Sequence, residues 1–200
     1  MKMKLTLIAA LVISLGTATV ASAAPCTMTP EKAPTLFGFK LGMTQTAAEK
    51  LSGQKADDNG ILIKTSDGWV NADTGDKYIV IFNEDGRSKV LDKTVEKMGL
   101  TFMDGKLFEM SPELTSYSPW VKAPDRLAFF QKQFGIPTTA WVDDGEPGRY
   151  YTLNKKVTCN GIAIAITAGK AAMKFKITET AVAARIEQAK EAAREKYADK

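Results

Sequence analysis

The strongest constraint on the fold is the strict alternation between Ile162 and Thr178. Ile162, Ile164 and Ile166 fall on one side of an extended chain, with Ala163 and Ala165 on the other. After the turn Ala168-Gly169-Lys170, Met173, Phe175 and Ile177 repeat the pattern. A period of two places successive side chains on opposite faces, so each run reads as a strand with one buried face. Two runs joined by so short a turn pair antiparallel, because a parallel pair needs a long crossover.

Other segments extend this sheet. Ile61-Leu62-Ile63 starts a strand, and Tyr78 to Phe82 is an apolar run with a β-branched bias. Asn83-Glu84-Asp85-Gly86 reads as a hairpin turn into a strand over 88–95. Met103-Asp104-Gly105 reads as a second hairpin, between Leu100-Thr101-Phe102 and Lys106-Leu107-Phe108. Tyr150 to Leu153 and Lys156 to Cys159 read as two further strands, and Phe37 to Leu41 as a short one. Two helices interrupt the strands. Thr44 caps one that runs to Ser52, with Ala47, Ala48 and Leu51 inward and Gly53 as its stop. Asp125 caps the other to Phe134, before Gly135-Ile136-Pro137. The expected fold is therefore α+β: an antiparallel sheet built from two helix-plus-hairpin halves, about 34–118 and 119–178, with the Pro/Ser-rich stretch 111–124 between them. Residues 179–200 read as a charged C-terminal helix whose apolar stripe is Val182, Ile186, Ala189, Ala193 and Tyr197. That stripe is mostly alanine, so the helix is expected to be an appendage, with little contribution beyond Ala189.

The N-terminus carries an address. Met1-Lys2-Met3-Lys4 is basic, Leu5 to Leu15 is apolar, and Ala21-Ser22-Ala23 supplies small residues for cleavage. Residues 1–23 are expected to be a signal peptide and the mature chain to begin at Ala24, which places the protein in the periplasm or outside the cell. The apolar run is short for a membrane span. In an oxidising compartment an even pair of cysteines, Cys26 and Cys159, favours one bridge over two separate or lipidated thiols. Removing Lys2 and Lys4 from the 27 basic residues leaves 25 against 23 acidic ones, a balance that gives no footprint for nucleic acid.

The chain contains no histidine, which removes Ser-His-Asp triads, Cys-His pairs and His-ligated zinc. Asp73-Thr74-Gly75 matches an aspartic-protease motif, yet occurs once and lacks the apolar run before it; it reads as a turn. Ser52-Gly53-Gln54-Lys55 has the Ser-x-x-Lys spacing of penicillin-binding enzymes, but Gly53 ends the helix between the two groups. Asp57-Asp58-Asn59 and Asp143-Asp144-Gly145-Glu146 are oxygen-rich without calcium-loop spacing. No catalytic residue, metal ligand or cofactor is assigned. The candidate binding residues are the loop aromatics Trp120, Trp141, Tyr150 and Tyr151, which read either as interface anchors or as covers for the ends of the core.

Phe39-Lys40-Leu41-Gly42-Met43-Thr44, leading into a helix, resembles the opening of a group of exported bacterial α/β modules, those similar to the outer-membrane-assembly lipoprotein SmpA and to the β-lactamase inhibitor proteins. The hairpin Leu100 to Leu107 and the helix end Gly135-Ile136-Pro137 are similar to the same group. The chain departs from the lipoprotein branch in lacking a lipobox before Cys26. The resemblance implies a non-catalytic protein whose sheet face binds another protein. The expectation is accordingly an exported protein-binding module of the bacterial envelope, partnered by another envelope or extracellular protein, with no nucleic acid and no membrane span after cleavage. The alternatives are a carrier of a small apolar ligand and a hydrolase using paired carboxylates.

Overall fold

The computed structural model describes residues 26–66, 68–84, 88–116, 118–122, 125–146, 151–170 and 172–197. The expected signal peptide and its cleavage site lie outside these residues. In chain order the elements are α1 (Gln45–Ser52), β1 (Asp57–Thr65), β2 (Gly68–Phe82), β3 (Val95–Met103), β4 (Lys106–Leu114), α2 (Pro119–Lys122), α3 (Arg126–Phe134), β5 (Val142–Asp143), β6 (Tyr151–Thr158), β7 (Ile162–Gly169), β8 (Met173–Glu179) and α4 (Thr180–Tyr197). The strands form one eight-stranded antiparallel sheet in the order β1-β2-β3-β4-β8-β7-β6-β5.

That order follows from repetition. Each half sends a capped helix ahead of a meander of four strands, and the last strand of each meander meets the other at the centre, where β4 pairs with β8. The helix ends match as well. Thr44 and Asp125 accept from the backbone N–H of Ala47 and Ala128, and Gly53 and Gly135 close the two helices in the left-handed conformation. The expected Pro/Ser-rich divide is partly strand, because β4 continues to Leu114.

One face of the sheet carries the main core. Ile79 and Ile81, Met98, Leu100 and Phe102, Met110, Val157, Ile162, Ile164 and Ile166, and Met173, Phe175 and Ile177 are buried there with Phe39, Leu41, Ala48 and Phe130. Phe130 is fully enclosed, with ring centroids of Phe134, Trp141 and Phe175 at 5.4, 5.6 and 5.4 Å. The lead-in is stapled by a Cys26–Cys159 disulfide with Cα atoms 4.7 Å apart, the pairing that parity and compartment favoured.

Several local expectations are corrected. Phe37 to Leu41 is a tight turn bridged between Leu36 and Phe39, with Phe37 at φ 52°; its apolar side chains plug the core instead of pairing along a strand. Of Ala47, Ala48 and Leu51 only Ala48 is buried. The strand expected over 88–95 is not formed, since residues 88–94 are turns and bends: Asn83 organises the connection, its side-chain amide donating to the Asp92 and Val95 carbonyls and its oxygen accepting from the Ser88 N–H. The two strands expected over 150–159 are one, β6, because Asn154 and Lys155 stay in register with Thr167 and Ile166. The strands expected from Ile61 and over Tyr78 to Phe82 are one long hairpin, β1 with β2, and Asp73-Thr74-Gly75, expected as a turn, lies inside β2 as an irregularity opposite Asn59 and Gly60.

β2 buries opposite faces in its two halves. Ile79 and Ile81 point into the main core, whereas Ala72, Thr74 and Asp76, on the other face, are also buried. The cover there is α4, which packs against β1, β2 and β8 and buries Ile186. The C-terminal helix therefore docks on the far side of the sheet, outside the main core, and stays half-buried at Ala189, Lys190, Ala193 and Tyr197 beyond its buried Ile186.

Candidate functional site: the open face of the sheet

Beyond α4, the second face of the sheet has no helix packed on it among the described residues. Antiparallel register places its side chains in rows that cross the strands. One row runs Phe82, Lys97, Glu113, Lys174, Thr167, Asn154. The next pairs Val80 with Gly99 and Gly99 with Ser111, and resumes with Lys176, Ala165, Lys156 and Val142. The third runs Tyr78, Thr101, Glu109, Thr178, Ala163, Thr158, and α4 begins beside it.

The charges on this face are organised by β4. Glu113 lies 3.1 Å from both Lys97 and Lys174. The Glu113 carboxylate raises the Lys174 ammonium pKa. Glu109 accepts from the Thr178 hydroxyl at 3.1 Å and lies 3.3 Å from Lys176. Around these pairs the surface is low, since Gly99, Ser111, Ala163 and Ala165 have little or no side chain. Exposed Tyr78 and Phe82 stand at one end of the rows and exposed Val142 at the other.

Two cavities flank the start of α4. One, of about 340 Å³, is lined by Asp144, Lys156, Ala163, Ala165, Lys176, Thr178, Thr180 and Ala183. The other, of about 280 Å³, lies beneath Ala183, Ile186 and Lys190 and reaches Asn59, Asp76, Thr101, Phe108 and Glu109. Asp76 is 2% exposed and accepts from the Asn59 amide at 2.6 Å and from the Thr74 hydroxyl. Asp76 and Glu109 line one cavity, and each accepts hydrogen bonds from internal donors.

The sequence-derived candidates are placed differently from one another. Trp141 is 7% exposed and packs edge-on against Phe130, so it belongs to the core and presents no surface anchor. Tyr151 is half-buried at the start of β6, opposite Gly169 and close enough to Lys174 to favour its charged form. Trp120 lies in α2, with its side chain outside the described residues, and Tyr150 lies outside them too. The Ser-x-x-Lys match has no nucleophile pair: Ser52 donates to the Glu49 carbonyl, and Lys55 pairs with the Glu49 carboxylate at 2.8 Å. Among the described residues no cluster of histidine, cysteine, aspartate or glutamate could hold a metal ion, and no helix is long and apolar enough to cross a membrane.

The residues missed from the sequence are Lys97, Glu109, Glu113, Lys156, Lys174 and Lys176. Their signal was present as the polar half of each strand's alternation, as in Met173-Lys174-Phe175-Lys176-Ile177. No protein-family model, curated protein or solved structure matches this chain.

Proposed function

We propose that the protein is an exported, non-catalytic binding module of the bacterial envelope that receives another protein on the open face of its sheet. The observation that carries this reading is the row structure of that face: small residues lie between fixed Lys–Glu pairs, and exposed aromatic and aliphatic side chains stand at the ends. Ordered charges and low relief favour a broad, shape-matched contact over a closed reaction site. The helix-side core is filled by the Phe130 cluster, and both cavities on the open face have charged walls, which does not suit a small apolar ligand.

The test is a photoactivatable side chain placed at Ser111 or Ala165 in protein exported by its source cell, with Lys132 on the exposed side of α3 as the control position. Irradiation of the envelope fraction should give a discrete protein adduct from 111 and 165 and none from 132. Equal labelling at all three positions, or none at 111 and 165, overturns the reading.

A further inference from the structure

The open face is not electrically neutral. Its three rows carry Lys97, Lys156, Lys174 and Lys176 against Glu109 and Glu113. Glu113 is shared by Lys97 and Lys174, and Glu109 is engaged by Lys176 and Thr178. Lys156 pairs with no carboxylate among the described residues, whereas its neighbour Lys155 reaches Asp143 at 2.8 Å. The excess positive charge is therefore concentrated at the β6–β7–β8 end.

There the register creates a seat. Lys156 and Lys176 both pair with Ala165, one from each side. Two strand spacings put their Cα atoms about 10 Å apart. The residue between them has only a methyl group, and Ala163 continues the low floor. This floor belongs to the cavity of about 340 Å³, whose rim adds the hydroxyl-bearing residues Thr178 and Thr180 and one aspartate, Asp144. Two ammonium groups over an alanine floor fit a carboxylate inserted from above, which can accept from both.

We infer that the partner on the open face is an acidic protein surface that inserts a glutamate or aspartate side chain between Lys156 and Lys176. This inference rests on the binding-module reading and names the chemistry of its partner. Fixed lysines would steer a negatively charged partner and set its register, and the Lys–Glu pairs on β4 would disfavour an uncharged one. The seat continues into the three charged rows of the open face, so a carboxylate attached to a larger acidic surface would meet Lys156, Lys176 and Lys174 together.

The experiment is a titration of the full mature, disulfide-bonded protein with acetylated, amidated tetraglutamate, followed by backbone amide shifts. Saturable shifts should centre on Ala163, Ala165 and Thr178. In K156E they should weaken at least tenfold, in K156Q several-fold, and in K132E not at all. The K156Q variant removes a charge that pairs with no carboxylate among the described residues, so it tests the seat even where charge reversal disturbs the sheet. Shifts that ignore K156E and K156Q, or that centre elsewhere, overturn the inference. Inorganic phosphate is the second probe: saturation of the same amides at a lower concentration than the peptide marks a small-anion site and also overturns it. The photo-adduct from Ser111 is then compared in wild type and K156E. Its loss in K156E supports the seat. Its persistence rejects the seat and leaves the binding-module reading standing, whereas absence of the adduct from wild type rejects that reading while the titration still decides the seat.

Discussion

Replacing Cys26 and Cys159 together by alanine tests how the lead-in segment is held to the sheet. The bridge links residues 133 apart in sequence, with Cα atoms 4.7 Å apart. In the chain-entropy model, closing a loop of that length destabilises the unfolded chain by about 5 kcal/mol at 25 °C. On the native side the lead-in keeps independent anchors. Leu36, Phe39 and Leu41 remain buried, and the Gly42 and Gln45 N–H groups donate to the Leu107 and Gly105 carbonyls. The double alanine variant should therefore reach the same native structure, with unchanged far-ultraviolet circular dichroism, and lose up to about 5 kcal/mol of stability. Urea unfolding at neutral pH, followed by tryptophan fluorescence, measures the loss. Wild type unfolded in reductant is a second arm and should agree with the variant to within about 1 kcal/mol, because both cysteines are small buried side chains. A loss below about 1 kcal/mol in both arms refutes the reasoning, since it would mean that the unfolded chain already holds its ends together.

Three further outcomes are expected. Phe130→Ala removes a fully buried ring from the centre of a four-ring cluster and should cost about 3 to 5 kcal/mol in the same urea assay. The Glu49 carboxyl is held at about 2, below its ordinary 4.5, by the Lys55 ammonium first, then by the Gln45 amide and the Ala56 N–H. A carboxyl depressed in the folded state stabilises the fold above its unfolded value and loses that contribution as pH falls from about 4.5 towards 2. Wild-type urea midpoints should thus drop more steeply across that window than those of Glu49→Gln, and parallel profiles would contradict the assignment. Truncation after Gln188 keeps Ile186 and should cost under about 1 kcal/mol, whereas truncation after Glu179 uncovers Ile63 and Ala72 and should cost about 3 to 5 kcal/mol by urea melt.

Legibility from sequence tracked the locality of the physics. The helix ends at Thr44, Gly53, Asp125 and Gly135 could be read directly, because capping is settled within four residues. The same holds for the Asp104-Gly105 turn, where both residues have positive φ, 52° and 68°, as a two-residue hairpin requires. β7 and β8 were legible from strict alternation over one apolar face. The long β1–β2 hairpin was not. Its strands are polar on one side, carry a register irregularity at Asn59 and Gly60, and gain their burial from a helix more than a hundred residues later. Because β2 is buried on one face at Ile79 and Ile81 and on the other at Ala72 and Asp76, no single period describes it.

The open face was hidden for a related reason. Lys174 and Lys176 look, strand by strand, like the ordinary solvated half of an amphipathic run. Their meaning depends on register across β3, β4, β8, β7 and β6, which sets Lys174 beside Glu113 and Lys176 beside Ala165. A one-residue slip of β8 would turn both lysines into the core and Phe175 and Ile177 onto the open face, a change the buried apolar set forbids. The core therefore fixes the charge pattern that a partner would meet. Ile164, Ile166, Phe175 and Ile177 lock β7 against β8, and that lock places Lys156 and Lys176 on either side of Ala165. Substitutions in the main core that shift this register should alter recognition on the opposite face even though no core side chain reaches it.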